Sequence, residues 1–201
     1  MSSKLLTTYV DPSEPGSLGD VNAFAKAYKI AQTKAKQQVE QLLSYTLHKP
    51  RRRRFPTLPT KVFSINEQFV MDLVDLQKLA KYNNGYKYLL TVIDVFSKYA
   101  WVEPLKSKRA TAFFDALQRL WTRLGPRQPQ KVQTDSDSEF YNAKVKAFFK
   151  KHEVNHFSTH GDPHGSVVER WNRTLKTKMF RYFTAKNTLN YIDVLPALVK
   201  R

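Results

Sequence analysis

The sequence predicts an α/β fold: a mixed five-stranded sheet flanked by helices, in the order βββαβαβα, with a small helical unit ahead of it. Three observations predict it. Apolar, strand-like runs at 68–76, 86–95 and 99–105 follow one another closely, with the turn signal Asn83-Asn84-Gly85 between the first two, as in an antiparallel meander. From Arg109 onward, helical periodicity alternates with short apolar strands, the pattern of strand–helix–strand units. Before residue 48 the apolar residues recur only at helical spacing.

Taken in order, residues 11–20 are rich in Pro, Gly and Ser and read as loop, ending on Asp20 as a helix cap. Val21, Phe24, Ala25 and Tyr28 share one helical face, and Ala35, Val39, Leu42 and Leu43 share another after a break near Ile30. Residues 1–47 thus form a small helical unit, for which a helix-turn-helix and a plain structural pair are both open readings. Residues 48–62 carry Arg51, Arg52, Arg53 and Arg54 between prolines and read as an extended basic arm or linker. Residues 63–201 are the predicted α/β core.

Within that core, 109–124 is a helix whose apolar face holds Ala112, Phe113, Ala116, Leu117, Leu120 and Trp121, stopped by Gly125-Pro126. A short strand at 131–133 delivers Asp135. A second amphipathic helix spans 142–152, a last strand 154–157, a polar loop 158–165 and a helix 166–183. A final helix is expected at 191–201, and the core is expected to be truncated at its C-terminal side.

The formal net charge is +17, from 34 Lys and Arg against 17 Asp and Glu. A fold does not require that excess, whereas a polyanion rewards it, because each neutralised phosphate releases counterions. With no cysteine, disulfides and Cys-based zinc fingers are excluded. The longest apolar stretch, near 88–96, is broken by Thr91 and Asp94 and falls far short of the ~20 residues of a membrane span. No signal-peptide core precedes it, so a soluble, intracellular protein is expected. The arginine run reads as a DNA-contacting arm, a nuclear localisation signal or a solvated charge run.

Against this basic background three acids stand out. Asp72 interrupts an apolar strand, and a buried Asp is rare unless paired or metal-bound. Asp135 follows a short strand, where parallel sheets place functional groups. Glu169 lies near the start of a helix, with Asn172, Arg173 and Lys176 at i+3, i+4 and i+7 on its face, while Trp171, Leu175 and Met179 turn elsewhere. Three converging carboxylates would repel one another unless cations lay between them, and two divalent ions ~3.5–4 Å apart are the machinery of phosphodiester chemistry. A surface Glu–Arg–Lys ladder is the plainer reading of the helix. Asp75 falls on the opposite face of its strand, Asp94 reads as a turn cap, and Asp137 and Glu139 compete with Asp135 in the same loop. The five histidines form no metal motif; His160 and His164 read as loop residues or as lining the site.

Four ordered blocks, 68–76 around Asp72, 86–101, 133–142 around Asp135 and 166–176 around Glu169, together resemble the core of retroviral-type integrases. Within that family the sequence is most similar to the integrases of Polinton/Maverick-like DNA transposons, a resemblance that also takes in Tyr45–Pro50 and the arginine run. It implies an RNase H-like fold and a D,D,E triad at Asp72, Asp135 and Glu169, serving both as catalytic residues and as ligands of two Mg²⁺ or Mn²⁺ ions. It implies DNA contacts at Asn172, Arg173 and Lys176, and the arm adds Arg51 to Arg54. The sequence departs from the family at Asp137, where a glycine is usual, and at Asp162-Pro-His-Gly165.

The implied activity is that of a polynucleotidyl transferase with associated endonuclease action, performing 3′-end processing and strand transfer of a mobile element into target DNA. A nuclear homo-oligomer acting on element ends and target DNA, with no membrane partner, is implied with it. Two alternatives stand beside it: an impaired or domesticated DNA-binding relative, and a metal-dependent nuclease that only hydrolyses.

Overall fold

The helices that open the chain are too short to be stable alone, and it is their mutual burial that holds them. The computed structural model of the chain describes residues 2–49, 61–158 and 166–200. Arg51, Arg52, Arg53, Arg54, His160 and His164 lie outside the described residues, so the expectations placed on them have no structural counterpart here. The chain divides into two compact units, Met1–Arg54 with Arg173–Arg201, and Phe55–Asn172.

In the first unit, α1 (Ser2–Val10), α2 (Val21–Ala27), α3 (Gln32–Val39) and α4 (Leu43–Thr46) follow one another. Asp20 caps α2 as the sequence predicts, its carboxylate accepting from the amides of Asn22 and Ala23. Tyr9, Phe24, Ala35, Val39 and Tyr45 form a buried cluster. Helix α1 is an addition to the expected pair: Tyr9, wholly buried, joins it to the cluster edge-on to Phe24. Gly16 closes the α1–α2 loop at φ +72, and a Cβ there would stand 2.9 Å from the Ala23 carbonyl oxygen, so only glycine fits.

The second unit contains the sheet: β1 (Gln68–Asp75), β2 (Tyr88–Asp94), β3 (Ala100–Leu105), β4 (Lys131–Thr134) and β5 (Asn155–Ser158), in the order β3-β2-β1-β4-β5. The pairs β1–β2 and β2–β3 are antiparallel, whereas β1–β4 and β4–β5 are parallel, so the sheet is mixed as predicted. The β1–β2 link is longer than a two-residue hairpin. A 3-10 stretch, Gln77–Tyr82, precedes the turn, and Asn84 and Gly85 carry its positive φ values. Asp94 caps the β2–β3 turn, accepting from the amides of Phe96 and Ser97.

Helices α5 (Ala110–Leu124) and α6 (Ala143–Lys151) cover one face of the sheet. Phe69 and Met71 of β1 share a cluster there with Phe113, Leu117, Leu120, Trp121, Val145 and Phe149. Strand alternation sends Val70 to the other face, where it packs with Ile93, Val95 and Val168. Val168 belongs to the first turn of α7 (Ser166–Lys186), and a last short helix, α8 (Leu195–Val199), follows. The fold is that of an RNase H-like core, a mixed five-stranded sheet flanked by helices.

Candidate active site

Asp72 lies on β1, the middle strand of the five. Alternation puts it on the same face as Val70, toward the first turn of α7. Beside it runs β4, parallel, with Gln68 opposite Lys131 and Val70 opposite Gln133. The same offset carried two residues further sets Asp135, just beyond the end of β4, alongside Asp72. A buried hydrogen bond from Gln68 Nε2 to Gln133 Oε1, 2.9 Å, ties the two strands in that register.

Glu169 comes from α7, one residue after buried Val168. The packing of Val168 against Val70 and Ile93 brings the start of α7 down on the Asp72 face. Asp72, Asp135 and Glu169 consequently line one recess, together with Val70, Met71, Gln133, Thr134 and Val168. Its volume of about 30 Å³ is room for one or two water-sized occupants. Asp72 is half-buried there, while Asp135 and Glu169 are exposed at its edge.

Asp72 is the most constrained of the three. Its Oδ1 accepts from the Leu73 amide at 2.7 Å, and its Oδ2 accepts from Asn172 Nδ2 at 2.5 Å. Asn172 is itself buried at 6% exposure, and its Oδ1 has no hydrogen-bond partner among the described residues. The resemblance implies a DNA contact at Asn172; in the structure its amide nitrogen donates to Asp72. A recess lined by three carboxylates, with an orphaned amide oxygen on the residue that grips the first of them, is an all-oxygen donor set suited to hard divalent cations such as Mg²⁺. Among the described residues no three His, Asp or Glu side chains stand close enough to share one ion. Two ions divided among three acids do not require such a cluster.

The other acids of the region have separate duties. Asp75 is exposed and accepts from the Gln77 amide and side chain. Glu139 is buried and pairs with Lys108 Nζ at 3.5 Å. Asp137 is exposed, and its carbonyl accepts from the amides of Phe140 and Tyr141, closing the turn that leads to α6. Asn142 caps that helix, accepting from the Val145 amide. Arg173 is exposed and Lys176 half-buried, both on the part of α7 that belongs to the first unit.

His156 is not singled out by any motif in the sequence. It lies on β5 against the rings of Tyr141 and Phe149, and its Nε2 is 2.9 Å from Thr134 Oγ1. Thr134 Oγ1 in turn donates to the Asp135 carbonyl at 2.9 Å. Burial first, and the charge of Lys146 second, depress the imidazole pKa to about 4, so His156 is neutral at neutral pH.

The integrase core domain family matches residues 65–163. A transposon-derived protein of Caenorhabditis elegans is 38% identical over 124 residues, covering 62% of this chain and 43% of that protein. The Pol polyprotein of Radiation murine leukemia virus is 31% identical over 123 residues, covering 58% of this chain and 20% of the polyprotein. This chain thus spans less than half the length of either relative. Among solved structures, the HTLV-2 integrase catalytic core domain in complex with magnesium, in a dimeric form, superimposes with a TM-score of 0.54 at 19% identity, over 67% of this chain and 83% of that one. That likeness concerns the fold. No helix among the described residues is long and apolar enough to cross a membrane.

Proposed function

We propose that this chain, which carries an integrase core domain of the retroviral and transposon type over residues 65–163, is a metal-dependent DNA integrase of a mobile element. The observation that carries the proposal is the recess in which Asp72, Asp135 and Glu169, from two strands and a helix, stand together. Their carboxylates would hold two Mg²⁺ or Mn²⁺ ions. Bound there, such ions supply activation of a water or a DNA 3′-OH and stabilisation of the leaving oxygen during in-line displacement at phosphorus. With water the product is a processed 3′ end, and with a 3′-OH it is a joined strand.

The protein's own part is to fix the acids and the DNA. Asn172 and the Leu73 amide hold Asp72 in one rotamer, and the β1–β4 register sets Asp135 beside it. Arg173 and Lys176 are proposed to bind phosphates close to Glu169 in sequence, and Arg51 to Arg54 to follow the DNA backbone. Element ends and target DNA are the substrates, joined by a homo-oligomer working in the nucleus. Kinship to Polinton/Maverick-type elements rests on the sequence blocks given above.

One observation favours a second reading. Asp137 places an additional exposed carboxylate two residues beyond Asp135, where negative charge opposes an incoming phosphate. A core limited in this way would bind DNA, or hydrolyse it without joining. The deciding experiment is a strand-transfer assay on matched-end oligonucleotides with Mg²⁺ or Mn²⁺, run beside Glu169→Gln. Metal-dependent joined products that vanish in the variant support the integrase reading. Cut products alone support a nuclease, and salt-sensitive binding without chemistry supports the impaired core.

A further inference from the structure

His156 does not reach the recess, yet it is the far end of a hydrogen-bond chain that finishes on one of its acids. The chain runs from His156 Nε2 to Thr134 Oγ1, 2.9 Å, and from Thr134 Oγ1 to the Asp135 carbonyl, 2.9 Å. Thr134 is the last residue of β4 and only 3% exposed, so its hydroxyl is shielded from competing water. Asp135 lies one residue beyond the end of β4, and among the described residues it has no ladder partner. Among the described residues its carbonyl accepts from that hydroxyl, and a bond from Ser136 Oγ to Ser158 Oγ, 3.2 Å, ties the chain to β5 a residue further on.

A hydroxyl has a single proton. If Thr134 gives it to the Asp135 carbonyl, only lone pairs remain for His156, so the imidazole must donate from Nε2. The opposite tautomer would take the Thr134 proton for itself and release the carbonyl. Ring position is not in question, because Tyr141 stacks on the imidazole at 4.6 Å and Phe149 lies at 4.7 Å from it.

We propose that His156 is a positioning residue for Asp135: as the neutral Nε2–H tautomer it orients the Thr134 hydroxyl, which fixes the peptide carrying the second acid of the site. The idea rests on the function proposed above for Asp135. It differs from a packing role in a checkable way, since packing needs the ring but not the proton. Groups that orient the ligands of a metal site typically cost 10–100-fold in metal affinity or activity when removed.

The first test needs no activity. In the full-length ¹⁵N,¹³C-labelled protein at pH 7, with the His156 signals assigned by their absence from His156→Gln, the expected pattern is protonated Nε2 and bare Nδ1. In His156→Leu the Asp135 carbonyl carbon should shift, as it should in Thr134→Val. An Nδ1–H tautomer, or an Asp135 carbonyl indifferent to both substitutions, overturns the proposal.

The second test is kinetic. His156→Leu and Thr134→Val should each lower turnover about tenfold with little change in KM for DNA, and the double variant should be no worse than either. His156→Gln, whose amide can donate from nearly the same place, should recover most of the loss. Losses that multiply, or a Gln variant as poor as Leu, mean that the ring only packs. A wild-type protein without metal-dependent chemistry sinks the integrase reading instead, and the resonance measurements then decide the hydrogen-bond chain alone.

Discussion

Asn172 Nδ2 donates to Asp72 Oδ2 at 2.5 Å, a bond between residues a hundred positions apart in the chain. It joins the strand that carries the first acid of the recess to the helix that carries the third. Because Glu169 precedes Asn172 by three residues on α7, the grip on Asp72 also sets how α7 presents Glu169. The bond thus fixes two acids with one side chain.

Removing it should be felt in the chemistry more than in the fold. Asn172→Ala is expected to lower strand-transfer turnover about tenfold and to raise the Mg²⁺ concentration needed for half-maximal rate. Asn172→Asp should be worse, because it sets a second carboxylate against Asp72. A metal titration of the joining reaction for the three proteins measures both effects. An unchanged midpoint in Asn172→Ala would show that Asp72 needs no such support.

Much of this site was legible in the sequence, for reasons that differ from one element to another. Asp72 could be read because an acid inside an apolar strand is costly unless it has a use. Asp135 could be read because short strand ends in α/β sheets are where such groups sit. Asn172 is harder: its i+3 spacing from Glu169 gives the same helical face whether the amide meets DNA or another side chain, and its bond to Asp72 depends on the β1–α7 packing through Val70 and Val168. His156 was not legible, because its partner Thr134 is 22 residues away and the pairing depends on the β4–β5 register. Helix α1 escaped notice because its one strong anchor, Tyr9, finds Phe24 and Tyr45 only in the folded unit.

His156 also predicts how stability responds to pH. Its folded pKa is about 4 against an ordinary value of 6.5, so the unfolded chain binds more protons between those limits. Stability from keeping the ring neutral is present above about pH 6.5 and is lost as pH falls toward 4. Denaturant midpoints at pH 7.5 and pH 5 should therefore differ, and differ less in His156→Gln. Carboxylates contribute equally to both proteins, so the comparison isolates the imidazole. Parallel pH profiles would place His156 in a solvated setting.

Arg181 should be the strongest single determinant of the first unit. It is 3% exposed; its Nη1 donates to Tyr9 Oη, to the Leu18 carbonyl at 3.0 Å and to the Gly19 carbonyl at 2.5 Å. Its guanidinium also lies 4.5 Å over the Tyr45 ring. Arg181→Met keeps the apolar stem but strips the side-chain donor from the Leu18 carbonyl, at about 1–3 kcal/mol when left bare, and removes one of the two side-chain donors to the Gly19 carbonyl, which keeps Tyr9 Oη. Relief from burying a cation offsets part of this, leaving a net loss of about 2 kcal/mol. Chemical denaturation followed by helical circular dichroism should show it, and a variant as stable as wild type would mean that water replaces the guanidinium.

The charge of +17 makes the last prediction one about salt. If Arg51 to Arg54 lie along a DNA backbone, each phosphate they neutralise contributes about 0.9 to the slope of log affinity against log salt. Replacing all four with Ala should flatten that slope by about 3.6 and weaken binding to any duplex alike, since phosphate contacts carry no sequence information. Arg173→Ala and Lys176→Ala should each flatten it by about 1. Fluorescence anisotropy across a salt series reads these slopes directly. Strand transfer at low salt should survive loss of the arm better than binding at high salt, because the proposed function assigns affinity to the arm and chemistry to the carboxylates. A slope that the fourfold substitution leaves unmoved would assign the arm to another task and leave DNA binding to the core and α7.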